Sequence, residues 1–250
     1  KQFLQDKSIA IAAFPFHLTP LAGVQELTDQ FEVLESIRET LDYEVTTAVN
    51  FDVNGQPWTL EPLLRKHGIE FYMSGINVHF GGIPFERPQA FWWEGQDGGR
   101  TLSYLGEIYQ MWSRYTHSER MPGLFASGAS EEMIYASMRE ELAQYEASLA
   151  KRQWDKPFYV LTATNPPLYD NGSPDKYLVE AIRIYNRVSP DQRVQLITLD
   201  ELRDLVRAEW AEDELPVKRG DWTDYWNFGA GSTPLETRMH ARSQNLVQAT

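Results

Sequence analysis

The feature that most constrains this chain is a change of hydrophobic period that repeats along it. Short, nearly continuous apolar runs, Ile9–Phe14, Val45–Val49, Glu70–Met73, Thr101–Leu105, Phe158–Thr162 and Arg193–Ile197, read as strands buried on both faces. Between them the apolar residues recur at helical spacing. Phe31, Leu34 and Ile37 make one stripe, Met133, Ile134, Met138, Leu142, Tyr145 and Leu149 a second, and Leu178, Ile182 and Tyr185 a third. Strand, helix, strand in sequence predicts an α/β fold on a parallel sheet, either a barrel or a doubly wound layer.

Local punctuation agrees. Ser173 before Pro174 reads as an N-cap, Thr198 with Glu201 as a capping box, and Gly68 as the left-handed stop of a helix that follows Trp58. One interval breaks the alternation: residues 77–110 are rich in Gly, Pro and aromatics and end in a hairpin turned at Asp97-Gly98-Gly99. Long ordered excursions of this kind commonly carry function. Residues 235–249 read as one more helix.

Composition removes several classes of partner. With 42% apolar and 24% charged residues the 250-residue chain is an ordinary globular one. Its 36 acidic against 23 basic residues give a net charge of −13, the wrong sign for nucleic acid or an anionic membrane surface, and no run of about 18 apolar residues predicts a membrane span. The absence of cysteine excludes disulfides and thiolate metal sites and leaves both the cytoplasm and the cell exterior open as compartments. The opening KQFLQDKS has neither an initiator methionine nor a signal-peptide core, so the chain is expected to begin inside a longer gene product.

In parallel α/β folds the carboxyl ends of the strands face the site. Polar residues at those ends are His17 and Thr19, then Asn50, Asp52 and Asn54, then Asn77 and His79, then Glu107 and Tyr109, then Asn165, Tyr169, Asp170 and Asn171. Paired carboxylates in unlike surroundings suit glycosidic cleavage, one protonating the leaving oxygen while the other attacks or activates water. Trp92, Trp93, Tyr109, Trp112 and Tyr169 could stack on sugar faces. Plainer roles compete: Asp52 and Asp170 as turn residues, Glu107 as a salt-bridged strand end, His79 as a backbone-bonding loop residue, and one of Trp92 and Trp93 as packing. The fragment DVNG echoes half of a calcium loop but lacks the later acidic ligand.

Six segments in order, TTAVNFDVNGQPW, LLRKHGIEFYMSGINVHFGG, FWWEGQDGGRTLSYLGE, TATNPPLYDNGSPD, VQLITLDELRDLV and GDWTDYWNFGAGSTPLETRMHAR, resemble the catalytic domain of glycoside hydrolase family 38, the α-mannosidases. The resemblance implies a seven-stranded parallel β/α barrel over residues 1–215, its N-terminal part missing, and a linker with the first helix of a helical bundle over residues 216–250. It implies zinc-assisted retaining hydrolysis of α-mannoside-like glycosides. In the family pattern the nucleophile is the Asp of an Asp-x-x-Gly stretch and also ligates the metal, which falls here on Asp52 with Gly55. Glu107 falls in the order of the general acid, Asp170 near a position that contacts the sugar, and Asn77 and His79 on the stretch that holds a polar, substrate-facing group; Trp93 and Tyr109 join them as substrate-binding candidates through stacking alone.

The family's His-x-Asp pair and its downstream histidine have no match in this sequence, so the remaining zinc ligands are expected outside it, and the chain as it stands is expected neither to bind zinc well nor to turn over substrate. Two other readings stay open, a metal-dependent polysaccharide deacetylase on a related barrel and an inactive carbohydrate-binding remnant. The expected partner is a carbohydrate, with homo-oligomerisation undecided.

Overall fold

A computed structural model describes residues 1–15, 21–52, 56–76, 85–109, 111–164, 174–222 and 231–249. The chain divides into two compact bodies, Lys1–Ile108 with Ile197–Thr250, and Tyr109–Leu196.

The first body is built on a sheet. In chain order it contains α1 (Gln2–Gln5), α2 (Val24–Asp29), α3 (Glu32–Leu41), β1 (Thr47–Asp52), α4 (Leu60–Lys66), β2 (Phe71–Ile76), β3 (Gln89–Glu94) and β4 (Arg100–Gly106). Strands β1, β2 and β4 lie where apolar, largely β-branched and aromatic runs predict them. After the second body come α9 (Leu199–Glu209), β5 (Val217–Arg219) and α10 (Pro234–Gln248). Strand order is β1-β2-β4-β3-β5. Strands β1, β2 and β4 are mutually parallel, while β3 runs antiparallel to β4 and parallel to β5.

Of the expected incomplete seven-stranded β/α barrel, the α/β character and the mostly parallel sheet are present, and among the described residues a barrel is not. Among the described residues the strands form an open, mixed five-stranded sheet. The β3–β4 hairpin supplies the reversal, its turn closed by Gly95 N–H to Gly99 O at 2.8 Å and Gly98 N–H to Gly95 O at 3.1 Å. Of the expected first strand only one bridge is present, Ala13 beside Ala48. The sheet also runs past residue 215, where a linker was expected: β5 pairs with β3, and Trp222 is fully buried against Phe91, Trp93 and Tyr72. Glu94 joins three strands by accepting from Arg100 of β4 at 2.8 Å and Arg219 of β5 at 2.5 Å. Those two guanidiniums, Arg100 foremost, hold its carboxyl below the usual range.

The core of this body gathers Leu27, Phe31, Ala48, Leu60, Leu64, Tyr72, Phe91, Trp93, Leu105 and Trp222. Helix α4 stops where Gly68 takes φ +76°, a left-handed conformation that glycine adopts at little cost. Helix α9 opens with the expected capping box: Thr198 Oγ1 accepts from Glu201 N–H at 3.3 Å, and Glu201 Oε2 accepts from Thr198 N–H at 2.7 Å.

The second body is helical, with α5 (Met111–Tyr115), a short 3₁₀ turn (Ser118–Arg120), α6 (Met121–Ala126), α7 (Glu131–Lys151) and α8 (Leu178–Val188). Ser130 caps α7, and the predicted stripe on that helix is buried except for Met133. The start expected for α8 at Ser173 lies outside the described residues, and the helix itself begins at Leu178.

Two runs expected as strands, Phe158–Thr162 and Arg193–Ile197, have no ladder. Their backbone groups find other partners, as buried backbone must. Asn186 brackets Val194, donating from Nδ2 to its carbonyl and accepting its N–H, both at 2.8 Å. Trp154 Nε1 donates to Phe158 O at 2.7 Å, and Trp112 N–H to Thr162 O at 2.9 Å.

Candidate active site

The three parallel strands end together. Asp52, the last residue of β1, stands in register with Ile76 of β2, and Gly75 of β2 with Gly106 of β4. One further residue along β4 brings Glu107 level with Ile76. The two residues therefore flank the end of β2, two strand spacings or roughly 10 Å apart at the backbone.

Backbone geometry at Asp52 is unusual for a strand residue. Its φ is +69°, in the left-handed region, so the chain turns sharply at the carboxylate itself. Aspartate tolerates this better than most residues because its short polar side chain can bond locally. Such a conformation persists only when the surroundings impose it.

Those surroundings are polar and buried. Asn50, two residues before Asp52, donates from Nδ2 to Gln56 Oε1 at 3.2 Å, and the Tyr72 hydroxyl donates to the same oxygen. Ser74 Oγ donates to Asn50 O at 2.9 Å, and Gln56 O accepts from Trp222 N–H at 3.0 Å. Asn50, Gln56, Tyr72 and Ser74 are all essentially inaccessible to solvent, and burial pushes the Tyr72 phenol far up, keeping it a neutral donor. Both ends of the segment around Asp52 are thus anchored to β2 by satisfied buried groups.

Glu107 is held by Arg87, whose Nε lies 3.1 Å from Glu107 Oε2, with both side chains mostly buried. The strand ends approach closely at Gly75. A Cβ there would fall 2.9 Å from Phe51 Cδ1 and 3.3 Å from the Glu107 carbonyl oxygen, so glycine lets β1 and the end of β4 pack closely on β2. Sequence reasoning missed Arg87, Gln56, Tyr72 and Gly75. The one available signal was polar residues, Asn50 and Ser74, set inside otherwise apolar strand runs.

Other predicted site residues fare differently. Trp93 is fully buried: its ring packs on Tyr72 and Trp222 at centroid distances of 5.8 and 4.6 Å, and its Nε1 donates to Gly220 O at 3.2 Å. With both the ring and the indole N–H committed to the core, Trp93 is corrected from sugar contact to packing. Tyr109 belongs to the helical body, half-buried, its carbonyl accepting from Thr164 Oγ1 at 3.0 Å. Asn77, His79 and Asp170 lie outside the described residues, as do Asn54 and Gly55.

Zinc asks for several nitrogen or oxygen donors converging on one point. Among the described residues no three His, Cys, Asp or Glu side chains gather in that way, and Asp52 is the single expected ligand within them. The described donors do not make a zinc site.

Comparison with solved structures places this fold beside that of an α-mannosidase from Enterococcus faecalis. The two superpose with a TM-score of 0.61 at 16% identity, over 89% of this chain and 23% of the enzyme. At that identity the likeness concerns the fold, and this chain spans about a quarter of the length of the protein it resembles. No protein-family model matches the sequence, and no curated protein does.

Proposed function

We propose that this chain carries the carboxylate end of a glycoside hydrolase site acting on α-mannoside-like glycosides. The observation that supports the reading most is the placement of Asp52 and Glu107 at the same level of two parallel strand ends on either side of β2, in a fold like that of an α-mannosidase. In this reading Asp52 is the nucleophile. Its carboxylate attacks the anomeric carbon as the glycosidic bond breaks, giving a covalent glycosyl ester that water then hydrolyses. Retention of configuration follows, because each of the two displacements inverts that carbon.

Glu107 protonates the leaving oxygen in the first step and accepts the proton of the attacking water in the second. Arg87 positions it by holding its carboxylate. Asn50, Gln56 and Tyr72 position the strand end that presents Asp52. A zinc ion would lower the charge density on the nucleophile and orient vicinal hydroxyls, and its binding is part of this proposal only through Asp52.

Hydrolysis of 4-nitrophenyl α-mannoside tests the reading in a longer polypeptide that carries this chain. The expected result is nitrophenol release that falls by at least about a thousandfold in Asp52→Ala. Full activity in that variant would remove Asp52 as nucleophile. Release of acetate from an acetylated glycan, without cleavage of the glycoside, would replace the reading with a deacetylase.

A further inference from the structure

The helical body contains a cavity of about 290 Å³ that uses neither proposed catalytic carboxylate. Its apolar wall includes Leu142 of α7, Ile182 of α8 and, from the segment without a ladder, Tyr159 and Leu161; Arg193 stands at its edge. The volume lies near the lower end of the range for small-molecule sites, and the lining has their usual character, apolar with a few polar groups.

Two polar groups at this cavity lack the partners their chemistry calls for. Trp112 lines it, is 3% exposed, and its indole Nε1–H has no hydrogen-bond partner among the described residues. A buried donor left in that state costs about 1–3 kcal/mol, so an acceptor oxygen brought into the cavity gains what the empty site forfeits. Arg193 donates from Nη1 only to main-chain carbonyls, those of Ser189 at 2.9 Å and Gln192 at 2.8 Å, and makes no ion pair among the described residues. Asp191 shares the edge without pairing to it. Glu146 of α7 is taken up by Arg139, Tyr159 and Gln192.

We propose that this cavity binds a small aromatic acid carrying a second oxygen on its ring. The flat ring occupies the apolar space between α7, α8 and Tyr159, the ring oxygen accepts from Trp112 Nε1–H, and the carboxylate pairs with Arg193. An aliphatic ammonium would leave the indole donor unmet and would meet Arg193 with like charge.

The test titrates the full 250-residue chain with 6-hydroxy-2-naphthoate and follows the eight tryptophan indole N–H signals by ¹H–¹⁵N correlation spectroscopy. The Trp112 signal is assigned by its loss in Trp112→Phe. The expected result is a saturable shift of that signal, with affinity lowered about tenfold in Trp112→Phe, read by ligand fluorescence, and about tenfold in Arg193→Gln. Neutral 2-naphthol should bind no more tightly than the acid binds to Arg193→Gln. Arg193 is exposed, so Arg193→Gln carries the test if Trp112→Phe perturbs folding. No saturable shift up to about 5 mM, a weaker interaction than any specific site of this kind, would overturn the proposal. Equal affinity in wild type and Arg193→Gln would overturn it as well. Nitrophenyl mannoside turnover is read separately, since loss of the cavity ligand leaves Asp52 and Glu107 in place.

Discussion

Replacing Asp52 by glycine and by alanine separates a residue held in place for chemistry from one that merely turns the chain. The backbone there has φ +69°, where an ordinary L-residue pays roughly 1–2 kcal/mol and glycine pays nothing. Aspartate recovers part of that cost through local hydrogen bonds, and glycine loses about 0.5–1 kcal/mol through the greater freedom of its unfolded chain. Glycine and aspartate should therefore be nearly equal in stability. Alanine bears the full conformational cost with no compensating bond, and should fall about 1 kcal/mol below glycine. For a chain of 250 residues that corresponds to roughly 2–4 °C in Tm. Differential scanning calorimetry on the three proteins gives the ranking. An alanine variant as stable as the glycine variant would refute the left-handed geometry and the sharp turn at the carboxylate that depends on it. The same pair reads function: both variants should be inactive if Asp52 is the nucleophile, whereas a pure turn residue would leave the glycine variant active.

Two further outcomes follow from packing and charge. Gly75→Ala should destabilise the chain by about 1–3 kcal/mol, because the Glu107 carbonyl is backbone and cannot rotate away from the new Cβ; an unchanged urea midpoint would contradict the close approach of β1, β2 and β4. The Glu94 carboxyl is held below its usual pKa by Arg100 and Arg219, so its contribution is complete above about pH 4.5 and is lost as pH falls through the lower folded value. The Tm gap between wild type and Glu94→Gln should accordingly be present at neutral pH and shrink in acid; a gap that grows on acidification would reverse the assignment.

The parts of the fold that could be read in advance are those where local chemistry and tertiary packing agree. Strands β1, β2 and β4 are apolar runs that the sheet buries, Thr198 and Glu201 satisfy each other's amides as a capping box must, and the Asp97-Gly98-Gly99 turn closes a hairpin. The failures are as physical. Phe158–Thr162 and Arg193–Ile197 are apolar enough for strands, but Asn186 and Trp154 take up backbone groups that a ladder would have used. Strand β5 is three residues long, too short to show a period. Trp93 was placed by its proximity to a strand end, although alternation alone left open whether it or Trp92 faces the core. Arg87 and Glu107 meet across 20 positions that hold the whole β3–β4 hairpin, a separation over which no local pattern reports contact.

The central claim is that Asp52 forms a covalent bond to the sugar. Incubation with a fluorinated α-mannosyl fluoride, whose ring fluorine slows breakdown of a glycosyl ester, followed by proteolysis and mass spectrometry, measures this directly. The account predicts one added fluoroglycosyl group on the peptide that contains Asp52, absent from Asp52→Ala. A label on another residue, or turnover of the mannoside with inversion at the anomeric carbon, would contradict it.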